Sequence, residues 1–315
     1  WAGYGSAASK FTVQQSTTAP DDFNYSIVVT SSSAYSVSGG EIFKITQPIE
    51  GFNTADLRFG TSSAKPITIS FWVRSSLTGT FGGAVSNNGL NRSYPFSYTI
   101  SSANTWEKKT ITIDGDTSGT WAEGNAIGVQ VIWSLGAGSN VSGTAGAWVG
   151  SNHQSVTGAV SVVGTSGATF YITGAQLEAG DTATPFEHRN YGEELTLCSR
   201  YYGTSFRTKA PQNGTALAAE DMYYQPAWQH SGTSGVLGSR VYFITMMSSA
   251  PAVTLYNSTG TTASSGQYGL FNGGTWVSST SISAHLNNRS GFNPNLNGTG
   301  AASHSNNWLV NGGWA

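Results

Sequence analysis

Strict alternation of apolar and polar side chains constrains this chain more than any other feature in it. Ile67, Ile69, Phe71 and Val73 share one parity while Thr68, Ser70 and Arg74 share the other, and Ile127, Val129, Val131 and Trp133 repeat the pattern. Side chains along a strand point to opposite faces in turn, so such runs suit half-buried strands and cannot form one helical stripe. Strands are also expected at 25–30, 42–47, 96–101, 106–113 and 170–177, with Gly, Ser, Asn or Pro clusters between them. Only 10% of the 315 residues are charged, and polarity comes instead from Ser, Thr, Asn and Gly. That mixture favours short strands and tight turns over exposed helices, whose faces usually carry Glu and Lys. The fold class is all-β. The length exceeds one usual compact domain, so two β-rich units are expected.

Composition also excludes some partners. A formal net charge of -2 gives no basic face for a nucleic-acid backbone. The single cysteine, Cys198, cannot form an intrachain disulfide and is expected to be a buried thiol. No apolar run is long enough to cross a bilayer, and no basic-then-apolar leader opens the chain, so it reads as soluble, with no membrane insertion.

The character changes at 190–202. Glu193 and Glu194 precede Leu195, Leu197 and Cys198, with Arg200 at the end, an order that suits a helix dipole. A short connector helix is expected there, followed by a loop at 204–214. From Met222 onward there is no Asp or Glu, and Arg240 and Arg289 are the only Lys or Arg residues. Strands are expected at 241–247, 252–256 and 281–286. A segment so poor in charge has little to keep its copies apart, which favours an obligate oligomer over a compact monomer.

Glycan cleavage needs two carboxyls facing one sugar bond. The adjacent pairs Asp21 with Asp22, Asp114 with Asp116, and Glu193 with Glu194 read as turns or a first helical turn. No Gly-x-Ser-x-Gly elbow is present, and His153, His188, His230, His285 and His304 lack the spacing of a zinc site. No catalytic residue and no cofactor is expected, although Asp21, Glu41 or Asp181 could serve a structural calcium. Sugar binding calls for aromatic rings beside hydrogen-bonding side chains. Trp72, Trp106, Trp133 and Tyr171 lie within strands and read as core or sheet-face residues. Trp276, Phe292, Trp308 and Trp314 sit among Gly and Asn, with Arg289 nearby, and are the candidate glycan-binding residues. Their alternative role is to fill a small core or seal an oligomer seam.

The segment 170–203, FYITGAQLEAGDTATPFEHRNYGEELTLCSRYYG, resembles a stretch of phage tail-fibre and minor structural virion proteins. The matching residues are Thr173, Gly174, Gln176, Leu177, Glu178, Gly180, 183–187, Arg189 and 191–202. Weaker likenesses follow at 250–256, at 273–276 and at Gly291-Phe292. The resemblance implies a carbohydrate-binding-module-like jelly-roll β-sandwich over 1–189, a helical connector over 190–210 and a smaller C-terminal β domain over 211–315. It places Trp1 partway into the sandwich of a longer native chain. It further implies a virion location on the phage tail or capsid exterior, a homotrimeric fibre, contact with other virion proteins, and host attachment through a cell-surface glycan bound by the C-terminal part. A capsid-decorating or tail-assembly protein and a glycan-degrading tailspike are the alternatives.

Overall fold

In the computed structural model the chain is described at residues 1–203, 223–229, 235–238, 241–243, 245–252, 255–256, 269–272, 275–278, 281–297 and 308–314. It divides into two compact units, Trp1–His188 and Arg189–Ala315.

The first unit is a sandwich of two antiparallel five-stranded sheets, a jelly-roll-type all-β fold. One sheet, the front sheet, contains β1 (Ala2–Gly5), β4 (Ile42–Glu50), β9 (Ile127–Ala137), β6 (Gly79–Ser86) and β7 (Ser93–Ile100), in that order. The other, the back sheet, runs β2 (Phe11–Ser16), β3 (Ser26–Ser31), β12 (Thr169–Ala179), β5 (Ile67–Ser75) and β8 (Glu107–Ile113). The last two strands, β10 (Ser142–Gly143) and β11 (Ser155–Val156), form a short parallel ladder outside both sheets.

The alternating runs do what their parity requires. Ile67, Ile69, Phe71 and Val73 from the back sheet meet Phe43, Ile45, Phe81, Val131 and Trp133 from the front sheet, all essentially fully buried. Aromatic edges fill the middle, with Phe71 at 5.1 Å from Tyr98 and 5.6 Å from Trp133, each pair near perpendicular.

The two outer faces of the sandwich differ. Lys44, Thr46, Gln130, Ile132, Ser134, Ala84 and Ser86 are all buried, although their parity points them away from the core. The excursion between β9 and β12 covers them: Ser155 sits where a side chain on Gly82 would project. The buried Lys44 ammonium donates to Gln154 Oε1 at 2.6 Å, and Gln154 Nε2 donates to Asn152 Oδ1. Burial holds the Lys44 amine below its ordinary value. This strap covers the middle of the front sheet; on the back sheet the outward Thr68 and Ser70 are buried as well, Thr68 donating to the Gly180 carbonyl, and the rows around Trp72 and Arg74 stay half-exposed.

The second unit opens with α1 (Tyr191–Cys198), whose N-cap Asn190 accepts from the Glu193 amide at 2.9 Å. Two sequence expectations fail here. Cys198 is exposed rather than buried, because none of the eight residues of α1 is buried. Arg200 lies beyond the helix end and bonds instead to the 246–248 segment, its carbonyl accepting from Ser248 N at 2.9 Å. Farther on, Trp308–Trp314 pairs with Tyr223–Gln229 and with Gly269–Asn272 in an antiparallel sheet. Among the described residues no helix is long and apolar enough to cross a membrane.

Candidate functional site

Geometry separates the aromatic groups of the first unit that reach the surface. The first closes the sandwich edge between β7 and β8. Phe59 meets Trp121 at 4.9 Å, Trp121 meets Trp148 at 5.4 Å and Tyr94 meets Trp148 at 5.4 Å, all edge to face. Both indole N–H groups donate to backbone carbonyls, Trp121 to Ser118 and Trp148 to Asp114. The supporting loop is fixed by the Arg92–Asp116 pair, with Nε to Oδ2 at 2.8 Å and the Asp116 side chain only 2% exposed. A shallow recess lined by Thr54, Phe59, Trp121 and Glu123 encloses only about 10 Å³, far too little for a sugar ring. Rings that present edges to one another, with their polar atoms already bonded, make a packed buttress.

The second group lies on the open face of the back sheet. Tyr171 of β12 stands opposite Arg74 of β5, and the guanidinium carbon lies 4.9 Å from the Tyr171 ring centroid, within cation–π range. Trp106, just before β8, meets Tyr171 at 6.1 Å. One residue row along, Trp72 is flanked by Lys108 of β8 and Thr173 of β12. Arg74 Nε donates to the Asn104 carbonyl at 2.8 Å, which fixes the head of the side chain. The platform therefore combines three half-buried rings, a fixed guanidinium, an exposed ammonium and hydroxyl groups. Apolar ring faces beside planar donors suit the two sides of a sugar ring, its C–H face and its hydroxyl edge.

The 170–189 segment that carries the family resemblance forms one border of this platform. Gly174 adopts a left-handed conformation, φ +56°, at a β-bulge in β12, and the Phe23 ring packs where its Cβ would stand. Gln176 Oε1 accepts from Glu187 N at 2.8 Å, and Glu178 accepts both the amide and the hydroxyl of Thr184. Phe23, Phe186 and His188 then meet as a trio, with centroids 4.9 to 5.4 Å apart. The motif is a clip that lays the departing chain across the back sheet. Burial pushes the Glu178 carboxyl up, but hydrogen bonds from Thr184 and Gln176 and the charge of Lys108 outweigh it and hold the group below its usual range.

The acid pairs do not converge on one another. Asp116 is consumed by Arg92, Asp22 sits in a turn at φ +74°, and Glu193 with Glu194 occupies the first turn of α1. Glu41 binds Ser38 N and Tyr35 OH, and among the described residues no group of three or more His, Cys, Asp or Glu gathers as a metal site would require. Of the C-terminal candidates, Phe292 is 1% exposed and packs 6.0 Å from Phe243, while Arg289 Nε donates to the Met247 carbonyl at 2.7 Å. Trp276 falls in strand Thr275–Ser278, and Trp308 and Trp314 fall in strand Trp308–Trp314; their side chains, like His230 and His304, lie outside the described residues. Sequence reasoning placed Trp72, Trp106 and Tyr171 on strands without joining them into a site. The joining signal was present in the shared parity of Trp72 with Arg74 and of Trp106 with Lys108.

No protein-family profile matches the chain, and no curated protein matches it. Among solved structures it is similar to the enzymatically active domain of tailspike protein 4 from bacteriophage CBA120, at 13% identity and a TM-score of 0.34 over 58% of this chain. The match spans 19% of that domain's length. It is also similar to the family 11 carbohydrate-binding module of Clostridium thermocellum in complex with a mixed-linked tetrasaccharide (13% identity, TM-score 0.32, 58% of this chain and 91% of that one). A third is TmCBM61 in complex with β-1,4-galactotriose (12% identity, TM-score 0.31, 57% of this chain and 88% of that one).

Proposed function

We propose that this chain is a non-catalytic adhesive protein of a phage virion, of the tail-fibre type, that holds a cell-surface glycan against the open back sheet of its sandwich. The platform of Trp72, Arg74, Trp106, Lys108 and Tyr171 carries the reading, since it gathers ring faces and cationic donors on one half-exposed patch. The 170–203 resemblance supplies the virion setting, the homotrimer and the contacts with other virion proteins. The sequence's own candidates, Trp276, Trp308 and Trp314 with Arg289, stand as a second glycan contact in the C-terminal unit. The test is binding of the full chain to an immobilised panel of bacterial surface polysaccharides. Trp72→Ala with Trp106→Ala is expected to weaken retention about tenfold, about 1.4 kcal/mol, while the fold, read by circular dichroism, is kept. A chain that retains no polysaccharide, or a double variant that binds as well as the parent, overturns this reading.

A further inference from the structure

The platform carries more positive charge than a neutral sugar would use. Arg74 and Lys108 lie on adjacent strands of the same open face, beside Tyr171 and Trp72 respectively. Among the described residues neither makes a salt bridge: the ion pairs of this unit join Lys65 to Asp56, Arg92 to Asp116 and Lys109 to Glu107. Glu178 on the same face feels the charge of Lys108, but both of its oxygens are engaged by Thr184. Arg74 is held by one nitrogen, through the Asn104 carbonyl, and its guanidinium lies against Tyr171. A guanidinium fixed in this way keeps its remaining donors in a planar fork that matches the two oxygens of a carboxylate.

We propose that the ligand of this face is an acidic saccharide, whose carboxylate or phosphate sits between Arg74 and Lys108 while its ring lies on Trp72 and Trp106. The inference rests on the glycan reading above and names the class of sugar. The chain's weak net charge of -2 makes a local cationic pair selective, because no general field attracts anions elsewhere. Contact through exposed charges is also screened by salt, with a Debye length of about 8 Å at physiological ionic strength.

The test uses the full chain and a fixed set of probes: a uronate hexasaccharide, its carboxyl-reduced neutral counterpart, a sialic acid oligomer, a phosphate-bearing oligosaccharide and a single-stranded DNA oligonucleotide. At least one acidic saccharide is expected to bind ten times more tightly than the neutral one, with the gap closing at high salt. Arg74→Gln with Lys108→Gln should abolish that preference while the fold, read by circular dichroism, is kept, and Arg74→Lys with Lys108→Arg restores part of it. Equal binding of the neutral saccharide, through Trp72 and Trp106, overturns the acidic class and leaves the glycan reading intact. Binding of no saccharide sinks both. Equal binding of the DNA, or an acidic preference that survives the double Gln variant, overturns the assignment to this site.

Discussion

Tyr98 stands in the middle of the core, stacked on Phe81 and edge to face with Phe71, and its buried hydroxyl has no hydrogen-bond partner among the described residues. Burial pushes that hydroxyl far above its ordinary value. A buried donor left unmade costs roughly 1–3 kcal/mol, so Tyr98→Phe should raise stability by about 1 kcal/mol, read as a shift in the denaturant midpoint. Asp116 shows the opposite case. Asp116→Asn leaves the Arg92 guanidinium without its counter-charge and should cost about 3 kcal/mol, visible in the fluorescence of nearby Trp121 and Trp148 on unfolding. The alternating core residues were legible because burial on one face is all that parity encodes. The partnership of Arg92 with Asp116 was not, because two side chains separated by β7 and β8, strands of different sheets, meet only once both sheets have closed.

β12 decides how the chain leaves the sandwich. Gly174→Ala should cost about 1–2 kcal/mol from the left-handed backbone alone and more from the displaced Phe23 ring; thermal unfolding of the variant checks it. Glu178 gives the clip a pH dependence. Its folded-state value lies below that of a free glutamate, so the contribution is complete above the free value and is lost as the pH falls through the lowered one. Hydrogen-exchange protection at the Thr184 and Glu187 amides should therefore hold at neutral pH and collapse in acid, and Glu178→Gln should show the loss already at neutral pH. The sequence marked this stretch through its resemblance and through the run of acids that opens α1. It did not show that Gln176 and Glu178 tie down 184–187, because strand parity says which face a side chain takes and nothing about which loop returns to meet it. The strands β1, β2 and β6 were likewise unforeseen: Gly79–Ser86 holds three Gly in eight residues, and only neighbours already in place make it a strand.

The chain divides into two units, and composition alone marked the stretch from Met222 onward, which lacks Asp and Glu, as different from what precedes it. Its side-chain arrangement was not legible, since an amide-rich, charge-poor sequence leaves register weakly specified. The oligomer expected from that composition has a direct test: native mass spectrometry should give three times the 33.0 kDa chain mass, and a particle of one chain would remove the trimeric fibre. The strap over the front sheet then has a consequence for strength of attachment. On the proposed reading, the grip that the sandwich offers, a few rings and two cations on an open surface, is weak by construction. Firm holding must come from repetition, since linked copies that engage the same target at once can exceed single-site affinity by about 10²–10⁴. A sandwich strapped over the middle of one sheet then behaves like one hook of a fastener, easily peeled alone and hard to detach in a row.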